Sequence, residues 1–594
     1  MPQGRAPRTD FGTVILHAVL VVTFAVLVAT GLRIASDDPE SMWLIALDPI
    51  LPVEHLWYWH MVSGVGMAAA LGGYSAYVVR ARLQSRIRLD GARLAAILRG
   101  GQVRWSALGT VVVWILIAAL VVEVITGTVL FIGGGSAVVA LHRWATWVCL
   151  LSVGAHICLH AAFGGISQLL RVMRPSRLNI PEPPPDLAAL LAEQLERQAS
   201  ARPETGSAES LQEIPPAPTL KAHPLATCAG VAVVIAGFAW GGESLTRPVL
   251  RIAEVSRGEV PMLDGELSDP VWAKAHPVTV LTTQGGDFGG SHQSLVEMRA
   301  VHDGEYAYFA FVWDDPTRSL KHFPLVKRAD GWFIASAHGT LADEDVYHED
   351  KFSVLLTQPG LPLIGGAIHL AKAPLRNKPA GASGRGLHFT KDGGIADVWQ
   401  WRASHGGPGG QIENCHFGPP AEVHRADRGE TAAYTGGFSR DPGPVEDEPN
   451  FLTVRLDGVE SIRPRRLPAD LAATRRAMGR VSDSAQESEA EGARWWMSLS
   501  ESVPYSPQAD AALPVGTIIP GVLVPDALED RRDAIRGMAK WASGRWTLEL
   551  RRRLHTGSAY DVPIKSGTLL WVAAFDHAEK RHTRHLRPLR IEVE

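Results

Sequence analysis

At 594 residues the chain is too long for one ordinary domain. With 58 Lys+Arg against 62 Asp+Glu its formal net charge is −4, so no basic surplus points to nucleic acid. Four scattered cysteines (Cys149, Cys158, Cys228, Cys415), none in a C-x-x-C pair, exclude a disulfide framework and a cysteine-built zinc or iron–sulfur site.

Residues 11–33 are apolar and long enough to cross a bilayer. Arg5 and Arg8 precede them and no A-x-A cleavage site follows, which predicts a retained span and not a signal peptide. A second span is expected over 56–79, where Gly64, Gly66, Gly72 and Gly73 thin one side and allow close approach. Further spans are expected over 106–132, 140–168 and about 225–246. The loop RARLQSRIRLDGARLAAILRGGQVR and the stretch RVMRPSR are strongly basic, which places both, and the N-terminus, in the cytoplasm. Residues 176–222, rich in Pro, Glu and Ala, read as a cytoplasmic linker with one short helix near 185–199. The fifth span, within 223–248, then returns the chain outward, and 249–594 is expected to be periplasmic.

That last part reads as β. Residues 294–315, SLVEMRAVHDGEYAYFAFVWDD, alternate on either side of an Asp-Gly turn, a hairpin pattern. Strands are also expected at 350–358, 544–557 and 567–578, and a charged helical insertion at 468–492. Gly and Pro punctuate the rest, and many of the 18 tryptophans fall here, as in a packed β-rich domain or an aromatic-lined pocket. The expected architecture is an α-helical transmembrane bundle, four helices plus a fifth span, joined to a mainly-β sandwich.

The membrane histidines carry the chemistry. An imidazole inside a membrane helix is costly unless it faces protein or a cofactor. His142 and His156 are 14 residues apart, just under four turns, so they leave one helix face about 21 Å apart along the axis. By depth His60 pairs with His142, and His17, roughly 9 Å in from its end, pairs with His156. His160, five turns from His142, is an alternate to His156. Two bis-imidazole sites for stacked haems follow from topology and spacing. The alternative for each ring is a polar residue hydrogen-bonded between helices. His55 is expected at the membrane surface. With no C-x-x-C-H in the chain, covalently attached haem is not expected.

On His17 ahead of T-G-L, His60, and the His142/His156 pair, residues 8–175 resemble the four-helix di-haem cytochrome b family that serves nickel–iron hydrogenases and formate dehydrogenases. The resemblance implies a domain over 1–175 with two b-type haems, axial ligands His17, His60, His142 and His156, and electron exchange with quinone across a bacterial inner membrane. The runs LDGELSDPVWAKAHPVTV, AYFAFVWDDPTRS, EDKFSVLL, DVWQWRA and GRWTLELRRRL resemble the haem-binding small subunits of ethylbenzene and dimethylsulfide dehydrogenases. That implies a β-sandwich with a third haem b, held by Met and Lys, and a molybdenum oxidoreductase or other periplasmic redox protein as partner. Met298 is a candidate ligand or a core filler, Lys327, Lys372, Lys391 and Lys565 are candidates, and His369 or His388 could replace either ligand. Cys415–His416 is too isolated to read as a metal site. No nucleophile–base set and no phosphate-binding glycine loop stands out. The rival reading is a membrane-anchored ligand-binding module, for carbohydrate for example, with structural histidines.

Overall fold

The computed structural model describes residues 9–594 apart from 37–42, 45, 48–49, 53–54, 82, 99–101, 171–174, 177–223, 287–288, 336–347, 359–367, 371–387, 391–393, 406–409, 411, 420–437, 444–446, 457–458, 481–487, 527–533 and 579–581. The linker helix expected near 185–199 lies outside the described residues. The helices ahead of the β domain are α1 (Phe11–Ala35), α2 (Leu56–Arg80), α3 (Gly91–Ile97), α4 (Gln102–Phe131), α5 (Ser136–Leu169) and α6 (Pro224–Thr246). Five of them, all but α3, are long and apolar enough to cross a membrane. None of the five has Pro in its interior, so the backbone groups between their ends are satisfied within each segment, as hydrocarbon requires. Val22, Leu151 and Phe238 are exposed on them, as side chains facing lipid would be. The short α3 was not expected. It starts where Asp90 accepts the Arg93 backbone N–H at 2.9 Å.

Internal packing divides the chain into two compact units: Met1–Gly31, Trp59–Gly127 and Leu141–Gly242, and Leu32–Tyr58, Thr128–Ala140 and Glu243–Glu594. In the first, α1, α2, α4 and α5 meet in an apolar layer. Met67, Ala119, Leu120 and Cys149 are buried there against Leu20, Phe24, Leu27, Leu71 and Leu116. The glycines of α2 divide their tasks. A Cβ on Gly72 would stand 3.1 Å from Val231 of α6, and one on Gly73 3.4 Å from the Cys228 backbone, so both let the fifth span approach closely.

The second unit holds a 12-stranded sheet. Its strands are β1 (Val249–Glu254), β2 (Val278–Thr283), β3 (Gln293–His302), β4 (Tyr306–Asp314), β5 (Lys351–Thr357), β6 (Ala396–Arg402), β7 (Glu413–Phe417), β8 (Phe438–Arg440), β9 (Arg536–Ala542), β10 (Arg545–Arg553), β11 (Leu569–Phe575) and β12 (Leu589–Val593). The order is β8-β7-β6-β5-β11-β12-β1-β3-β4-β10-β9, with β2 paired to β3. The hairpin expected over 294–315 is β3 and β4, antiparallel in the register Met298 opposite Phe311, with Gly304 at φ +86° in its turn. The two halves of the sheet share one core. Trp313 of β4 lies with ring centroids 4.5 Å from Phe352 of β5 and 5.7 Å from Trp401 of β6, and Trp401 lies 4.8 Å from Trp546 of β10. Such pairs each add about 0.5–1.5 kcal/mol beyond their burial. Truncating Trp313 to Ala would cost about 3–5 kcal/mol. Of the insertion expected at 468–492, only Leu471–Met478 is helical; 481–487 lie outside the described residues, and 488–492 are irregular.

Candidate functional site

His60, in the first turns of α2, and His142 of α5 face each other with ring centroids 6.4 Å apart and planes at 74°. Neither ring is free to turn. The Thr30 hydroxyl donates to the Val26 carbonyl at 2.7 Å, so its lone pair is left to accept from His60 Nδ1 at 2.9 Å. On α4 the Thr126 hydroxyl likewise donates to Val122 at 2.7 Å and meets His142 Nδ1 at 2.7 Å. Glu123 Oε2 lies 2.7 Å from the same nitrogen, and its other oxygen accepts the Thr146 hydroxyl at 2.7 Å. With the proton held on Nδ1, each ring presents Nε2 as a bare lone pair, the form that ligates a metal.

The surroundings suit a flat group. A Cβ on Gly31 would stand 3.3 Å from His60 Cε1, and one on Gly127 3.5 Å from His142 Cε1. A Thr-Gly step on α1 and another on α4 thus repeat one device, a hydroxyl for the ring nitrogen and an absent side chain beside it. Two imidazoles bound to one metal at about 2.0 Å, each ring centre about 1.1 Å behind its nitrogen, would stand roughly 6.2 Å apart. The observed spacing fits a bis-histidine haem site. Sequence reading missed Thr30, Thr126 and Glu123. The signal was there in the repeated Thr-Gly and in an acid inside an apolar span, which is costly without a partner.

Beyond the apolar layer around Cys149, a second histidine group gathers. His17 of α1 lies within electrostatic reach of His156 and His160 of α5. The rings of His156 and His160 are 4.5 Å apart at 71°. His156 Nδ1 is buried without a hydrogen-bond partner among the described residues. The structure therefore brings His60 to His142, and His17 to the neighbourhood of both His156 and His160. His55 sits ahead of α2 in the left-handed region at φ +49°.

The β domain places its candidates differently. Met298 is fully buried in the main core, opposite Val278 and Phe311 in register. Lys327 Nζ is engaged by the carbonyls of Asp510 and Leu513 and by the Asp510 carboxylate at 3.0 Å. Lys565 is exposed, while Lys372 and Lys391 lie outside the described residues. His369 and His388 stand on two short paired strands, His388 opposite Leu370. Cys415 is buried, and His416 Nδ1 bonds to Asp441 at 2.6 Å.

An ionic network not foreseen from sequence, buried except for Arg440, lies at the β5–β6–β7 end. Arg402 joins Glu349 at 2.8 Å and Glu413 at 3.1 Å, and Arg440 joins Glu413 at 2.7 Å. His405 Nε2 reaches Asp447 at 2.7 Å. Burial and Arg402 oppose a charge on His405, but Glu349 and Asp447 outweigh them and raise it above its ordinary value. Burial would raise Asp447, yet His405 and Arg402 bring it down to about 2. Burial likewise works against Glu349, and Arg402 and His405 hold it well below the carboxylate range. His322 is pushed well below its ordinary value by burial. Three carboxylates are thus matched by two guanidiniums and one imidazolium. Although His405, Glu413 and Asp447 have donor atoms close enough for a metal, the cluster is already neutral.

Residues 269–587 match the family model described as ethylbenzene dehydrogenase, and residues 8–175 match that of prokaryotic cytochrome b561. No curated protein sequence matches the chain. Among solved structures, a protein described as carbohydrate-binding from Bacteroides uniformis is 7% identical, covering 59% of this chain and 100% of its own, with a TM-score of 0.23. A carbohydrate binding module of family 9 from Caldicellulosiruptor kristjanssonii, in complex with glucose, is 10% identical, covering 58% of this chain and 95% of its own, with a TM-score of 0.19. Likenesses this slight carry no argument about fold or function.

Proposed function

Because this chain belongs to the ethylbenzene dehydrogenase family through residues 269–587 and carries a prokaryotic cytochrome b561 domain ahead of it, we propose that it passes electrons between membrane quinone and a periplasmic redox partner. At the coarser level it is a multi-pass membrane cytochrome of b type that transfers electrons. The finer reading assigns His60 and His142 as one pair of axial ligands, and His17 with His156, or His160 in its place, as the other. The single observation behind it is the 6.4 Å spacing of His60 and His142 with each Nδ1 engaged by a threonine hydroxyl.

Bound there, haem iron supplies a one-electron couple between its ferric and ferrous states. The residues supply the rest. Thr30 and Thr126 hold the tautomer and angle of the two rings, so that little reorientation accompanies a change of charge. Glu123 places a carboxylate behind His142 alone, which distinguishes the two ligands electrically. Met67, Ala119, Leu120 and Cys149 form a dry layer between the two histidine groups. By orientation of the basic loops the His60–His142 site lies toward the periplasm and the His17 group toward the cytoplasm. The β domain, through its family, suits a molybdenum oxidoreductase as partner.

A reduced-minus-oxidised spectrum of the purified full chain, with haem counted per polypeptide, tests this. A low-spin b-type α-band with two haems is expected from the membrane part, and three if the β domain holds its own. Absence of an α-band after dithionite overturns the reading.

A further inference from the structure

The segment that joins α2 to α4 is strongly basic, with seven arginines against one aspartate over residues 80–104. It is tied to the helices at several points. Asp10, buried just ahead of α1, accepts Arg86 at 2.5 Å, the Tyr77 hydroxyl at 3.0 Å and the Thr13 amide at 3.0 Å. Leu83 is buried with Leu16, Tyr77, Val78 and Ala81, and Ile87 packs on them. The Arg93 guanidinium donates to the carbonyls of Ser85 at 2.8 Å, Arg88 at 2.9 Å and Arg86 at 3.2 Å, and to the Thr110 hydroxyl of α4 at 3.3 Å. The Trp114 indole of α4 donates to the Ile87 carbonyl at 2.7 Å.

The two bonds to α4 fix the depth of the segment. The apolar stretch of α4 starts at Arg104. Thr110 and Trp114 lie about 9 and 15 Å further along the axis. The segment is therefore drawn back beside the first turns of the span and does not stand clear of it. Its outward side is nevertheless apolar. Leu94 of α3 and Leu98 at its C-cap, four residues apart and so on one face, are 48% and 92% exposed, and Leu89 is exposed ahead of them. The other side of α3 is covered, with Ala96 buried and Ile97 half-buried. Arg80, Arg88 and Arg104 are exposed as well. Among the described residues the one ion pair that any of these three makes is Arg88 with Asp90, at 3.8 Å.

Leucines this exposed, on a segment held firmly alongside a span, belong in acyl chains, and unpaired guanidiniums beside a membrane belong with phosphate, whose oxygens match their planar fork. We propose that residues 80–104 lie in the membrane interface and bind anionic phospholipid, with Leu94 and Leu98 entering the acyl layer and Arg80, Arg88 and Arg104 meeting the phosphates. The inference rests on α2 and α4 spanning a membrane and on none of the haem ligands. Each arginine near an anionic surface strengthens binding about fivefold. Arginines that served only to orient the spans during insertion would give no preference among lipids.

The test uses the full-length protein. After equilibration in detergent with equal amounts of phosphatidylglycerol and phosphatidylcholine, native mass spectrometry should find phosphatidylglycerol retained about fivefold or more over phosphatidylcholine. In nanodiscs, amide hydrogen exchange over residues 89–98 should be slower with phosphatidylglycerol present than in phosphatidylcholine alone. Arg88→Gln combined with Arg104→Gln should reduce both differences, and Leu94→Ser combined with Leu98→Ser should speed exchange in either disc; all should leave the membrane haem spectrum unchanged. Equal retention of the two lipids, with exchange indifferent to the head group, would overturn the proposal. So would a preference that the arginine substitutions leave intact, since the lipid would then sit elsewhere on the protein. Should the arginine variant fail to insert, lipid retention and exchange of the wild-type protein decide the matter alone.

Discussion

Glu123 Oε2 lies 2.7 Å from His142 Nδ1, and among the described residues no carboxylate holds the matching place behind His60. The two rings that face each other are therefore unequal. A carboxylate hydrogen-bonded to an axial imidazole increases its electron donation and favours the oxidised metal. Glu123→Gln keeps the shape and an acceptor and removes the charge. The expected outcome is a rise of tens of millivolts in one of the two membrane haem potentials, about 59 mV for each tenfold change in the one-electron equilibrium. A redox titration followed at the α-band reads it; both potentials unchanged would show that Glu123 has no electronic role.

The same inequality sets a ranking for the threonines. His142 keeps Glu123 if Thr126 is lost, whereas Thr30 is the hydroxyl partner found for His60 Nδ1. Thr30→Val should weaken haem retention by about 10–100-fold, the usual range for removing a partner behind a ligating histidine. Thr126→Val should do less. Haem per chain after a fixed series of detergent washes compares them, and an equal or reversed effect argues against the tautomer lock.

His142→Ala should remove one membrane haem and spare the other, and His17→Ala should remove the other. His156→Ala and His160→Ala separate the two candidates on α5: the true ligand costs one haem, its neighbour alters only spectrum or potential. Haem content and redox titration of each variant in purified membranes provide the measurement. Loss of both haems from either His142→Ala or His17→Ala would mean that the bundle depends on each ring for packing.

What could be read from the sequence follows from what is periodic. Twenty apolar residues in a row announce a span whatever they touch, and His142 and His156 announce a shared face by their spacing alone. The β3–β4 hairpin announced itself by alternation around Asp303-Gly304. Thr30 and Thr126 did not stand out, because a mid-helix threonine usually bonds to the carbonyl four residues back. Both do that here, and serve a histidine on another helix with the oxygen lone pair that remains. The ionic network of the β domain was illegible for a different reason. Glu349, Arg402, His405, Glu413, Arg440 and Asp447 come from separate strands and loops, and only the folded sheet brings them together. The insertion at 468–492 read as a helix from its charge and composition, but Gly479, at φ +74°, ends it after two turns.

The ionic network predicts a pH window. His405 has a folded value above its ordinary 6.5, so its contribution to stability is complete below 6.5 and is lost as pH rises through the raised value. Asp447 has a folded value of about 2 against an ordinary 3.8, so its contribution is complete above 3.8 and is lost as pH falls toward 2. The network is therefore strongest between about pH 4 and 6.5, where both partners carry their charges. His405→Gln keeps much of the side chain's volume and polarity but cannot take up a proton. It should lower the Tm of the β domain most inside that window and progressively less on the alkaline side, where the wild-type imidazole has already lost its charge. Thermal melts followed by tryptophan fluorescence are suited to this, since Trp313, Trp399, Trp495 and Trp546 are all buried in the β-domain core. A difference between variant and wild type that stays constant from pH 5 to 9 would mean that packing, and not the imidazolium, is what His405 supplies.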